Sequence, residues 1–105
     1  MRVMGTNTWE MEVDTDFLVD QALEFADMLK SQGIAQLVGA WVEPDKKLMW
    51  CTWVTDDLAA LKAAFDEMNE RSGLTSELSV VEEMHPERDG RDQREAGLLS
   101  GAGLA

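Results

Sequence analysis

The sequence predicts an α+β domain in which two strand–helix–strand halves share one antiparallel sheet. Two observations carry this. Shifted by 40 residues, the segment 15–34 falls on 55–74 with six identities: Thr15 on Thr55, Asp16 on Asp56, Leu18 on Leu58, Phe25 on Phe65, Met28 on Met68 and Gly33 on Gly73. The apolar pattern is helical within each repeat and strand-like on its flanks.

Each repeat reads as a helix of roughly four turns. Leu18, Ala22, Phe25, Ala26 and Leu29 form one apolar stripe, and Leu58, Leu61, Phe65 and Met68 form the other. Thr15 and Thr55 are the expected N-caps, with Asp16 and Asp56 favourable in the first turn. Gly33 and Gly73 suit the left-handed residue that stops a helix. Four strands are expected around these helices. TWEMEV (8–13) alternates, with Trp9, Met11 and Val13 inward. AQLVGAWVE (35–43) and LMWCTWVT (48–55) are joined by the proline-led turn PDKK, and ELSVVEEM (77–84) comes last. Strand, helix, strand, strand, helix, strand is the split βαβ, or ferredoxin-like, order: a four-stranded antiparallel sheet with two helices on one face. Residues 1–86 form this domain. Residues 87–105 are expected to be a mobile or partner-docking tail, because charge and then Gly and Ala replace any apolar stripe.

Composition narrows the partners. Nine Lys and Arg against 21 Asp and Glu give a formal net charge of −12, a field that repels phosphate backbones and anionic lipid heads. Neither nucleic acid nor a membrane is expected to bind. No apolar run approaches the ~18 residues that span a bilayer, and the opening MRVMGTNTWE lacks the apolar run of a secretory signal. A cytoplasmic location is the expectation.

The hairpin turn sets which side chains share a face. With PDKK as a four-residue loop, Glu43 pairs with Leu48, Trp41 with Trp50 and Ala40 with Cys51. One face then carries Val38, Ala40, Val42, Met49, Cys51 and Trp53, and suits the helix side. Cys51, the single cysteine, is expected there as a core residue with its thiol protonated, since no nearby cation stabilises a thiolate. The other face carries Leu37, Gly39, Trp41, Glu43, Leu48, Trp50, Thr52 and Val54. Two helices cover only one side of a four-stranded sheet, so this second apolar face needs a partner. Sheet-on-sheet packing with a second copy, through Trp41, Trp50, Leu37 and Leu48, is the economical answer.

That layout resembles the dimeric α+β barrel superfamily, whose ferredoxin-like subunits pack their sheets face to face. The run AWVEPDKKLMWCTWVTDDLAALKAAF (40–65) looks like the middle hairpin and second helix of small members related to antibiotic-biosynthesis monooxygenases and to a nickel-binding branch. The resemblance spans about 6–84 and rests on layout and apolar pattern; it matches no catalytic signature. It implies a barrel interior in which Trp41 and Trp50 offer flat surfaces to an aromatic molecule, Glu43 and Thr52 supply polar groups, and His85 stands at the mouth.

The chemistry stays open between two readings. One is a non-catalytic homodimeric module that binds a small apolar or aromatic molecule or a protein partner. The alternative is a cofactor-independent monooxygenase or isomerase acting on an aromatic substrate. His85 is the sole histidine and has no neighbour at ligand spacing, so no metal is expected. No phosphate loop or dinucleotide fingerprint is present, so no cofactor is expected either. No catalytic residue is assigned; Glu43 and the Glu82–Glu83 pair are the carboxylates nearest an apolar strand.

Overall fold

A computed structural model describes residues 1–82 and residue 84. The order is β1 (Arg2–Thr8), α1 (Thr15–Ser31), β2 (Gln36–Glu43), a 3-10 turn (Pro44–Lys46), β3 (Leu48–Val54), α2 (Leu58–Ser72) and β4 (Thr75–Val81). The strands form one antiparallel sheet in the spatial order β2-β3-β1-β4. This is the ferredoxin-like arrangement the sequence predicts. His85, Glu83 and the tail 87–105 lie outside the described residues.

The first strand stands where the alternation did not place it. It is Arg2–Thr8 rather than 8–13, and it pairs along its whole length with β3 and with β4, from Arg2 opposite Val54 and Val81 to Thr8 opposite Leu48 and Thr75. Its inward residues are Val3, Gly5 and Asn7, a set that hides a strand from any apolar count. Glycine is required at its centre. A Cβ on Gly5 would stand 3.0 Å from the Cys51 sulfur and 3.2 Å from Leu78, closer than ordinary contact. The chain leaves the sheet at Trp9 to reach α1. Trp9 is buried as expected, but Met11 lies at the surface and Val13 is only half-buried.

Both helices begin on aspartate rather than threonine. The Asp14 carboxylate accepts from Phe17 N at 3.1 Å, and Asp57 accepts from Ala60 N at 3.0 Å. Thr55 instead ties the β3–α2 corner to the start of β2: its hydroxyl donates to Ile34 O at 2.6 Å and accepts from Asp57 N at 2.9 Å. Because α2 starts at Leu58, Asp56 precedes the cap and lies outside the first turn. The expected glycines do stop the helices. Gly33 follows α1 at φ 71° and Gly73 caps α2 at φ 81°.

The hairpin register is the one the four-residue loop predicts: Glu43 opposite Leu48, Trp41 opposite Trp50, Ala40 opposite Cys51. Further along, the ladder skips a residue. Leu37 pairs with Trp53 and Gly39 with Thr52, leaving Val38 as the extra residue of a β-bulge. One residue of slip exchanges faces. Leu37 therefore packs into the helix-side core and leaves the free face, while Val38 is solvent-exposed. The last strand, too, is earlier than expected, at Thr75–Val81 instead of 77–84, in register with the earlier β1.

The main core joins Val3, Cys51 and Trp53 of the sheet to Ala26 and Leu29 of α1 and to Leu61 and Phe65 of α2. A smaller cluster joins Trp9, Leu18 and Met49. Three rings lock the meeting of the helices with β3. Phe25, Trp53 and Phe65 are mutually edge-to-face, with centroids 5.0 to 6.1 Å apart. Such pairs add about 0.5–1.5 kcal/mol each beyond their burial.

The caps give a direct check. Asp14→Ala and Asp57→Ala should each lower unfolding free energy by about 1 kcal/mol in urea titrations, whereas Thr15→Ala should leave the midpoint nearly unchanged.

Candidate functional site

Helix α1 lies over β2 and α2 over β4, on opposite sides of the covered face. They meet through Phe25 and Phe65, and away from that contact they stand apart. The N-terminal half of α1 and the C-terminal half of α2 thus border a cleft of about 710 Å³ floored by the sheet. Asn7, Met49, Cys51 and Trp53 form the floor; Phe17, Phe25, Met28 and Met68 are prominent in the walls. Met11 closes one side, with its methyl carbon 2.9 Å from where a Cβ on Gly73 would stand. Three exposed apolar side chains, Phe17 at 58%, Met11 at 40% and Met28 at 36%, border this cleft.

The floor is a closed hydrogen-bond network. Asn7 is buried, and its amide nitrogen donates to Met49 O at 3.1 Å and to the Cys51 sulfur at 3.4 Å. Ser76 Oγ lies 2.6 Å from Asn7 Oδ1 and 3.3 Å from Asn69 Oδ1. The Trp53 indole N–H donates to the Cys51 sulfur at 3.1 Å, and that sulfur lies 3.8 Å from Gly5 O, to which it donates. Burial pushes the Cys51 thiol above its ordinary pKa, against the pull of the bonds from Asn7 and Trp53. The thiol is a protonated core group, as its position in the sequence implies.

The segment between β1 and α1 forms one edge of the cleft and is fastened from outside. Lys47 Nζ donates to Glu10 O at 2.7 Å and to the Glu12 carboxylate at 2.9 Å. Lys47 itself closes the 3-10 turn in a left-handed backbone conformation, φ 52°, with its N–H donating to Pro44 O. Non-glycine residues reach that region at some conformational cost.

Four of the residues singled out in the sequence share the other side of the sheet. Trp41 and Trp50 are directly opposite, Thr52 stands opposite Gly39, and Glu43 is opposite Leu48. The indole of Trp41 folds back over Gly39, with ring carbons 3.0 and 3.5 Å from the position a Cβ would take, and is 57% exposed. Trp50, Thr52 and Glu43 are half-buried. Glu43 accepts from Lys46 at 3.3 Å at the exposed end of the hairpin. None of these four lines the larger cleft, and Trp41 alone borders a second, smaller hollow of about 120 Å³ beside α1. His85 lies outside the described residues. Among the described residues no group of three or more His, Cys, Asp and Glu is placed to hold a metal ion, and no helix is long and apolar enough to cross a membrane.

The cleft residues that sequence reasoning missed had a weak signal. Phe17 and Met28 extend apolar character beyond the main stripe of α1, on a row with Gln21 and Glu24 at helical three- and four-residue spacing, and the two polar members mask it.

Burial of the thiol has a signed consequence for stability against pH. Its stabilising contribution is complete below the unfolded-state value near 9.0 and is lost as pH rises through the higher folded-state value. Unfolding free energy should therefore fall above about pH 9, and Cys51→Ala should lack that decline while lowering stability by about 1–2 kcal/mol at neutral pH. Thiol labelling should be slow in the native protein and fast in denaturant.

No protein-family model matches this chain, and no curated protein sequence matches it at a significant level.

Proposed function

We propose that this chain is a non-catalytic binding module that takes up a small apolar or aromatic molecule in the cleft between its helices and its sheet. The observation that carries the reading is the cleft itself: about 710 Å³, with apolar walls and buried polar groups grouped at one spot on its floor. Sites for small organic molecules occupy about 300–1,000 Å³ with this kind of lining. The floor supports binding over catalysis. Asn7, Ser76 and Trp53 spend their hydrogen bonds on one another and on Cys51, whose thiol is held neutral.

The free sheet face supports a second part of the reading, association of two copies in a sheet-to-sheet homodimer. Trp41, Trp50, Leu48, Met4 and Val54 lie on that face, with Trp41 57% and Val54 40% exposed. Apolar burial at ~25 cal/mol per Å² across such a face offsets the cost of association. In that arrangement Glu43 and Thr52 face the second sheet beside the two indoles.

Two experiments test these parts separately. An aromatic hydrocarbon such as naphthalene should quench tryptophan emission saturably, and the quenching should persist in Trp41→Phe/Trp50→Phe, which leaves Trp9 and Trp53 as emitters, with Trp53 on the cleft floor. Loss of quenching in that variant would move the ligand to the sheet face; no saturable quenching in either protein would end the ligand reading. Light scattering should show a dimer at micromolar concentration and a folded monomer for Trp41→Glu, since Trp41 is exposed within one subunit. A monomeric parent protein would remove the dimer.

A further inference from the structure

We propose that the molecule the cleft takes is an apolar organic cation, an aromatic or aliphatic body carrying one protonated amine. This rests on the cleft-binding reading above and adds to it the charge and orientation of the ligand.

The floor determines what the buried end of a ligand must be. Both amide hydrogens of Asn7 are directed at Met49 O and Cys51, and the Trp53 N–H is directed at the same sulfur. The donors of the floor are thus already used. A carbonyl pushed to that depth would lose its water and meet no partner, and a carboxylate would lose more. What the floor and walls do present is polarisable sulfur and aromatic surface, in Met28, Met49, Met68, Phe25 and Trp53. These accept hydrocarbon, aromatic rings and the faces of cations.

The rim decides the sign of the charge. Two ionic residues border the cleft, Glu24 on α1 and Arg71 on α2. Arg71 already faces a carboxylate, Glu67, at 3.6 Å one turn earlier on its own helix. Glu24 forms no ion pair among the described residues. Two turns earlier on α1, Phe17 lies 58% exposed and borders the same cleft, an aromatic surface on the same helix as an uncompensated carboxylate. The whole chain adds to this bias, since a net charge of −12 attracts cations and repels anions. An amine held between Glu24 and Phe17, with its apolar body on the methionines and rings below, satisfies both levels of the site.

Three probes of one shape and different charge test the proposal on the full chain: 1-methylnaphthalene, 1-naphthylmethylamine and 1-naphthoate, titrated calorimetrically at low and high salt. The amine should bind about ten-fold more tightly than the neutral compound at low salt, the combined scale of one exposed charge contact and one cation–π contact. The naphthoate should bind most weakly. Glu24→Gln, a change at an exposed position, should narrow the amine's advantage over 1-methylnaphthalene to about two-fold. Equal binding of amine and neutral compound, tighter binding of the naphthoate, or an unaltered ratio in Glu24→Gln would each overturn the proposal while leaving apolar binding in the cleft intact. Failure of all three probes to bind would overturn the cleft reading along with it.

Discussion

The period-two alternation of β3 sets both working surfaces of the molecule. Met49, Cys51 and Trp53 turn to the helices, and Leu48, Trp50, Thr52 and Val54 turn away. Because β3 lies between β1 and β2, its parity is imposed on both neighbours through their ladders. Trp53 then anchors Phe25 and Phe65, and those rings fix where the helices touch and where they part. A single residue of slip in β3 would send the thiol and Trp53 to the free face and remove the floor of the cleft.

Polar groups specify this core as firmly as apolar ones. A buried amide is costly unless every bond it gives up to water is replaced. Asn7 meets that condition by joining three elements: β3 through Met49 and Cys51, β4 through Ser76, and α2 through the contact of Ser76 with Asn69. Apolar packing alone tolerates small displacements, whereas this chain of bonds is satisfied in one register of β1.

How much of this was legible in the sequence depends on which force acts locally. Helix stripes and stop glycines were visible because helical spacing and positive φ leave clear marks, at Leu18–Leu29 and at Gly33 and Gly73. The hairpin register was visible because PDKK fixes an even loop. The true β1 was hidden because its inward residues include a glycine chosen for closeness and an asparagine chosen for hydrogen bonds. TWEMEV alternates well, but it crosses from the sheet to α1. The bulge at Val38 was invisible, since Leu37 and Val38 are equally apolar and only the ladder decides which one turns inward. The aspartate caps lay one residue before and two residues after the threonines expected to serve. The apolar face opposite the helices was legible, whereas the cleft was not, because a gap between two helices depends on how they are angled and each stripe reads the same whether or not its neighbour closes against it.

The bulge at Val38 also bears on how copies of this chain can polymerise. A sheet grows without end only if it offers two regular edges, so that each added copy presents a fresh one. Here, among the described residues, the edge strand β2 loses its ladder spacing at Val38 and gives way to a proline-led turn at Pro44, whereas β4 runs unbroken along β1. Pairing β4 with a second β4 uses up that edge on both molecules and stops. One extra valine thus breaks the regular row of an edge strand, the kind of irregularity by which sheets resist joining edge to edge.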